Sequence, residues 1–386
     1  MQFLTSNKMA DIVPNFFEQL DKKISQIEDK GSMIDLAKGN PDQPTPEFII
    51  ESLKKAVDLK TNHGYTPFNG KQNFLDAIAR YYQRIYNIEI ETKSEILTFN
   101  GSVIGISAIP QVILNPGDYV ITTDPCYPEY YTAVSLAGGK LYQLPLTRQN
   151  HYLPDLSKIP HEIVKQAKIL LLNYPNNPTG ATATEEFFKQ AIEFGKKNKI
   201  LVVNDFAYAA IAYDQRPVSL LQIEGAKDYA VELNTLSKTY DMAGWRVGYV
   251  LGNESVVTAL KKYHSHVYST IFGAIQDAAV AGLDSDQEAV NHIRDTYQKR
   301  RDVLVAGLRN LGWDVEEPQG AFFVWIKTPA EYGGQKFAEL ILKQANVVVA
   351  PGIGFGPSGK NYIRLSLTHD EKILKEVIKR FSVLEY

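Results

Sequence analysis

The feature that most constrains this chain is a rhythm between residues 96 and 252, where seven short apolar runs alternate with stretches of helical periodicity. The runs are ILTF, YVITT, KLYQLPL, KILLLN, ILVVND, YAVELNTL and RVGYVLG. Runs of four to eight residues rich in Val, Ile and Leu read as strands buried on both faces, and alternation with helices predicts an α/β unit with a mainly parallel seven-stranded sheet flanked by helices. In such sheets ligands lie at the carboxyl ends of the strands. The polar residues that follow the runs are therefore the first place to look for chemistry.

The rest of the chain frames that unit. Residues 9–30 carry a helical pattern (Ile12, Phe16, Phe17, Leu20, Ile24, Ile27), followed by Gly31, the strand-like MIDLAKGN and the turn-rich NPDQPTP. A helix over EFIIESLKKAVD, a loop HGYTPFNG that exposes Tyr65, and a helix over 71–86 come next. Beyond about 285 long amphipathic helices, short strands at FFVWI, VVVAP and YIRLSL and a final helix predict a smaller α+β domain. The expected division is a large domain over 46–285 and a small one from 1–45 together with 286–386. A net charge of -3 without a basic run argues against nucleic acid or an anionic membrane as partner. One cysteine, Cys126, excludes a disulfide framework and a cysteine-rich metal site, so no metal is expected. The N-terminus lacks a signal-like pattern and no apolar run reaches about 18 residues, so a cytoplasmic protein is expected.

Residues 235–249 read TLSKTYDMAGWRVGY. Lys238 sits on a predicted loop between two strands, where apolar surroundings would lower its pKa and allow a Schiff base with a carbonyl cofactor. Thr235, Ser237 and Arg246 would hold an anion beside it, which suggests pyridoxal phosphate. The alternative is a surface loop in which Lys238 is solvated and Arg246 pairs with a carboxylate. The S-K-T-Y and M-A-G-W-R-V-G runs resemble the lysine motif of class I aminotransferases, members of the fold type I pyridoxal phosphate enzymes, and the resemblance extends from about Asp35 to Ser366.

Further motifs follow in the same order. In TFNGSVIGISAIPQVILNPGD a strand, a turn at Gly101 and a helix would offer the backbone amides of Gly101, Ser102 and Val103 to an anion; the competing reading is a turn and nothing more. In LVVNDFAY, Asp205 would hydrogen-bond a pyridine nitrogen and keep it protonated, with Tyr208 reaching the ring hydroxyl; capping of the following turn is the competing reading. Asn177 lies in NYPNNPTG, where chain reversal is explanation enough locally. Arg364, in the otherwise apolar YIRLSL, needs a carboxylate, either a substrate's or an internal aspartate's. The family resemblance implies that Asn177 also bonds the ring hydroxyl, that Tyr127 of DPCYPEY stacks on the ring, and that Tyr65 reaches the phosphate of a neighbouring subunit in a homodimer. It further implies that Arg364 binds the substrate α-carboxylate and that Gly39 of LAKGNPD lines the substrate side.

These roles describe a ping-pong aminotransferase acting on L-amino acids and 2-oxo acids with pyridoxal 5'-phosphate. Neither His264–Gln276 nor Ile104–Leu114 contains a lysine or arginine for a distal carboxylate, so an apolar or thioether side chain is expected. The runs LNYPNNPTGA, DFAY and LSKTYDMAGWRVG, with GNPDQPTP near the start, look most similar to the methionine-salvage branch, which aminates 4-methylthio-2-oxobutanoate; His264 and His266 are expected on the rim. A C–S β-lyase on the same scaffold, an aspartate/glutamate-type transaminase and a non-catalytic sensor are the alternatives.

Overall fold

A computed structural model describes residues 3–10, 12, 14–26, 31 and 33–386. Twelve strands occur among them: β1 (Ile34–Asp35), β2 (Ile96–Phe99), β3 (Tyr119–Asp124), β4 (Lys140–Pro145), β5 (Ala167–Leu172), β6 (Leu201–Asp205), β7 (Ala230–Thr235), β8 (Gly248–Gly252), β9 (Phe323–Lys327), β10 (Val347–Val348), β11 (Ala350–Pro351) and β12 (Tyr362–Ser366). Seven of them form one sheet in the order β2-β8-β7-β6-β5-β3-β4.

That sheet is buried on both sides, and its sequence shows why. Val202, Leu170, Leu172, Tyr249 and Leu251 face one core, covered by helices Gln72–Tyr86, Glu185–Asn198 and Gly273–Asp284. Their neighbours Val203, Ile169, Leu171 and Val250 face the other, under Ser102–Ile113, Glu129–Leu136 and Glu254–Val267. Successive side chains of a strand point to opposite faces, so both alternate sets must be apolar.

The topology decides where polar residues can converge. β3, β4, β5, β6 and β7 are parallel, whereas β8 pairs antiparallel with both β7 and β2. Two reversals restore direction, so β2 ends at the same edge as β3, β5, β6 and β7, and β8 begins there. Arg246 accordingly reaches this edge by preceding a strand, while the other candidates follow one.

A second, three-stranded antiparallel sheet runs β11-β12-β9. Ile363 and Leu365 point into an apolar core shared with Val324, Ile326 and helices Glu288–Asn310, Gly334–Ala345 and Glu371–Phe381. Arg364 between them points the other way. The expected VVVAP strand is divided: β10 pairs with β1 in a two-residue parallel ladder, and β11 joins β12. The N-terminal helix is also interrupted relative to expectation. It runs Phe16–Ser25, because Pro14 supplies no amide and the Asn15 side chain caps the amides of Phe17 and Glu18 at 2.9 and 3.2 Å. Ile27, the last residue of the expected pattern, lies outside the described residues. No described helix is long and apolar enough to cross a membrane.

Candidate active site

The strand ends line a cavity of about 410 Å3 bordered by Gly39, Ser102, Val103, Tyr127, Asn177, Asp205, Tyr208, Thr235, Ser237, Lys238, Arg246 and Arg364. Of the residues expected from sequence to bind cofactor or substrate, only Gly101 and Tyr65 lie off this lining. Gly101 is directly beneath it, and Tyr65 is fully exposed elsewhere on the surface.

Lys238 lies within a single helical turn, Leu236–Thr239, rather than on an open loop. Thr235 caps that turn: its Oγ accepts from Ser237 N at 3.1 Å, donates to Val247 O at 2.8 Å and lies within hydrogen-bond reach of the Ser237 hydroxyl at 3.0 Å. Lys238 is half-buried on the cavity lining rather than extended into solvent. It donates to Gly39 O at 3.2 Å, lies 5.3 Å from the Phe322 ring, and joins no ion pair among the described residues. Burial, then Arg246 and Arg364, push its pKa down to about 8, while Asp241 opposes them. Gly39 has no room for a side chain, since a Cβ would stand 2.6 Å from Phe323.

Arg246 takes a left-handed backbone (φ 56°) and donates to Ala243 O at 2.8 Å, with no carboxylate partner among the described residues. Its guanidinium lies over Gly101, where an added Cβ would stand 2.2 Å from Nη2. Gly101 also has φ 92°, a conformation open to glycine. The expected use of its amide is corrected: Gly101 N donates to Phe99 O at 2.7 Å. The amides of Ser102 and Val103 have no acceptor among the described residues and open the helix Ser102–Ile113. A cation, a hydroxyl and two unpaired amides at a helix start form a cradle suited to a phosphate.

Asp205 Oδ1 is buried and makes no hydrogen bond of good geometry, although the Ala207 amide of the following turn lies close enough to favour the carboxylate. Oδ2 accepts from Tyr130 Oη at 2.8 Å, and burial raises the carboxyl to about 6 against that bond. A ring N–H would satisfy the orphaned oxygen. Tyr130 was missed from sequence because nothing in DPCYPEYY distinguishes one tyrosine's partner from another's. Asn173, also missed, donates to Asp205 O at 2.6 Å and accepts from Asn177 N at 2.8 Å. Tyr208 is buried edge-on to Phe322 and Phe323, and burial raises its hydroxyl pKa, with Arg364 opposing. Tyr127 stands edge-on to Tyr130.

Arg364 is 1% exposed and has no ion-pair partner among the described residues, so the internal aspartate is not there. It donates to Asn177 Oδ1 at 2.8 Å and to Ala37 O at 2.6 Å, while Nε is left unpaired. The rings of Phe323, Phe355 and Phe17 stand 3.8, 4.5 and 5.4 Å from its central carbon. Cation–π contact offsets part of the desolvation, and a bidentate carboxylate from solution would offset more. His264 is corrected from rim to core: it is 1% exposed, packed against Phe99 and Tyr268, whereas His266 is exposed.

A partly neutral lysine, an anion cradle and an orphaned carboxylate oxygen at one edge of a mainly parallel sheet fit pyridoxal 5'-phosphate, and the fold is that of the fold type I enzymes that use it. Within that class the chain belongs to the class I and II aminotransferases, whose family model matches residues 31–381. It is 44% identical to the L-glutamine–4-(methylsulfanyl)-2-oxobutanoate aminotransferase of Bacillus subtilis (strain 168), over 100% of this chain and 97% of that protein. It is 38% identical to an LL-diaminopimelate aminotransferase of Syntrophobacter fumaroxidans, over 100% of both. A substrate-bound structure of BacF from Bacillus subtilis superposes with a TM-score of 0.95 at 38% identity, covering 99% of this chain and 98% of that one. The protein is an aminotransferase.

Proposed function

We propose that this aminotransferase works on substrates with apolar or thioether side chains, the methionine/4-methylthio-2-oxobutanoate pair among them, in a ping-pong cycle. The observation that carries the reading is Arg364, a buried cation held by an amide and a carbonyl in an aromatic cage and lacking a carboxylate of its own. Phe17 and Phe323 stand against it on the cavity wall, which also includes Ile106. The further lysine on the lining, Lys38, is engaged by Asp21 at 2.7 Å. Similarity to the Bacillus enzyme named for that oxo acid supports the same choice.

In this reading Ser102, Val103, Ser237 and Arg246 hold the cofactor phosphate over Gly101, with Thr235 shaping the turn. Asp205 holds the ring nitrogen, Tyr208 and Asn177 the ring hydroxyl, and Tyr127 the ring face. When bound, pyridoxal 5'-phosphate supplies a carbonyl that condenses with amines and a protonated ring that withdraws electrons. Lys238 Nζ takes the proton from substrate Cα, for which a pKa near neutrality suits it. Arg364 orients the α-carboxylate so that the Cα–H faces Lys238, and Gly39 leaves room for the substrate.

The proposed division is a large domain over 46–285 and a small domain from 1–45 with 286–386, supported by the separate cores under the two sheets. We also assign a homodimer. Tyr65 is exposed, as are Leu59, Phe68 and Phe272; Phe272 packs against His63 and Thr66 Oγ donates to Ile271 O next to it, and a second copy of this chain would cover this surface.

Mixing the cofactor-loaded protein with methionine, glutamine, glutamate, aspartate and LL-diaminopimelate tests the substrate reading through the absorbance of the bound cofactor. Methionine and glutamine are expected to convert it and aspartate to leave it unchanged. Because relatives at 38 to 40% identity carry the LL-diaminopimelate name, faster conversion by that diamine than by methionine would replace the thioether reading.

A further inference from the structure

The last residue of β3 is a carboxylate that the roles above do not use. Asp124 is 8% exposed and lies off the cavity lining, yet it reaches the loop between β11 and β12. Ser358 of that loop donates its amide to Asp124 Oδ2 and Oδ1 at 3.0 and 3.2 Å, and its Oγ to Oδ2 at 2.8 Å. Capping of the short turn Pro357–Asn361 would account for these bonds taken by themselves.

Two further contacts show that more than one turn is held. Gly356 has φ 133°, and an added Cβ would stand 2.2 Å from Asp124 Oδ1, so the loop backbone is seated directly on the carboxylate. Two residues beyond Asp124, Cys126 N donates to Phe355 O at 2.8 Å. The end of β3 therefore fastens residues 355, 356 and 358 together. Phe355 is fully buried, with its ring 4.5 Å from the central carbon of Arg364 and edge-on to Phe16, Phe17 and Trp325. Tyr127, next to Cys126, lines the cavity together with Arg364. One stretch of the large sheet thus borders the cavity and also fixes a ring that covers the buried guanidinium.

We propose that Asp124 is a positioning residue for substrate recognition: by clamping Ser358 it holds Phe355 against Arg364 and so fixes the guanidinium for an α-carboxylate. The inference rests on Arg364 as the carboxylate site. Arg364 makes only two hydrogen bonds, to Asn177 Oδ1 and Ala37 O, and the aromatic rings supply its remaining restraint. Bidentate recognition is demanding in angle as well as distance, so a loosened ring costs affinity. Residues 352–361 form nothing more regular than two short 3-10 turns, Gly352–Phe355 and Pro357–Asn361, and cannot hold Phe355 unaided. Charge-assisted bonds to a buried carboxylate provide that hold.

Phenylglyoxal labelling of the full-length, cofactor-loaded protein, read by mass spectrometry at each arginine-bearing peptide, measures the cage directly. Arg300 and Arg301, each 3% exposed and outside the cage, serve as internal references. Asp124→Ala should raise the labelling rate of Arg364 about tenfold and leave the references unchanged. In the half-reaction with methionine, or with the amino acid that converts the native protein fastest, the apparent Kd should rise by a similar factor while the limiting rate is kept. Asp124→Asn, which retains an acceptor for Ser358, should recover part of both losses. Native labelling at Arg364 or a native Kd overturns the proposal. So does a matching rise at Arg300 and Arg301, which is what a merely structural role would produce. Should Asp124→Ala fail to fold, Ser358→Ala, which removes one of the three bonds, decides on the same terms. Arg364→Leu separates this inference from the reading beneath it. A raised Kd in that variant beside native labelling in Asp124→Ala rejects the Asp124 role alone, whereas a native Kd in Arg364→Leu rejects both.

Discussion

Asp205 shows how a single side chain trades stability for chemistry. Its folded pKa, about 6, lies above the ordinary 3.8, so the folded chain retains a proton that the unfolded chain has lost between those values. Stability from this group therefore falls as pH rises through that window, and the full penalty persists above it. In the cofactor-free protein at pH 8, Asp205→Asn should gain roughly 1–3 kcal/mol in a denaturant melt, with the gain shrinking toward pH 5. The loaded variant should lose both activity and the extra stability that cofactor gives the native protein. An Asp205→Asn protein that is less stable without cofactor would show that Tyr130 and the surrounding amides already satisfy the carboxylate. Arg364 makes the complementary point. From YIRLSL an arginine in a buried strand demands an anion, and the structure removes the internal candidate. The aromatic cage was illegible in sequence, since Phe17, Phe323 and Phe355 come from three separate segments.

At the scale of elements, all seven strands of the large sheet were legible because burial on both faces writes itself as uninterrupted apolar runs. The antiparallel insertion of β8 was not. Periodicity carries no direction, so nothing local announces that Arg246 arrives at the site by opening a strand. The single turn bearing Lys238 was hidden for a similar reason, being too short to display a period. The turn between β2 and the helix Ser102–Ile113 gives a prediction on this scale. Gly101→Ala would force a side chain into φ 92° and against the Arg246 guanidinium, at a cost of about 1–3 kcal/mol. Cofactor affinity, measured by equilibrium dialysis, should fall as Arg246 is displaced; unchanged affinity would remove the phosphate cradle from this turn. His264 was misjudged because its neighbours in HSHVYST are polar, whereas the surface it packs on, Phe99, comes from a distant strand.

For the whole molecule, the proposed homodimer hinges on Tyr65, which is fully exposed and does not line its own cavity. The loop that carries it is firmly based: Lys71 Nζ binds Asp277 at 2.5 Å and Asn62 at 2.8 Å, and Thr66 Oγ donates to Ile271 O at 3.2 Å. Mixing Tyr65→Ala with Lys238→Ala protomers under exchange conditions should restore a fraction of native activity, since one site of each hybrid would again hold both residues. No recovery, with exchange verified by mass, would place Tyr65 in no active site. The cage around Arg364 has a further consequence, for the order in which the chain assembles. Arg364 donates to Ala37 O across 327 residues of sequence, and Phe17 lies further away still. Contacts of such high sequence separation close the longest loops in the chain and form slowly. A polypeptide emerging from the ribosome can therefore complete the sheet edge with Lys238 and Asp205 well before it can close the cage around Arg364, so the carboxylate site proposed there would be the last part of the cavity to form.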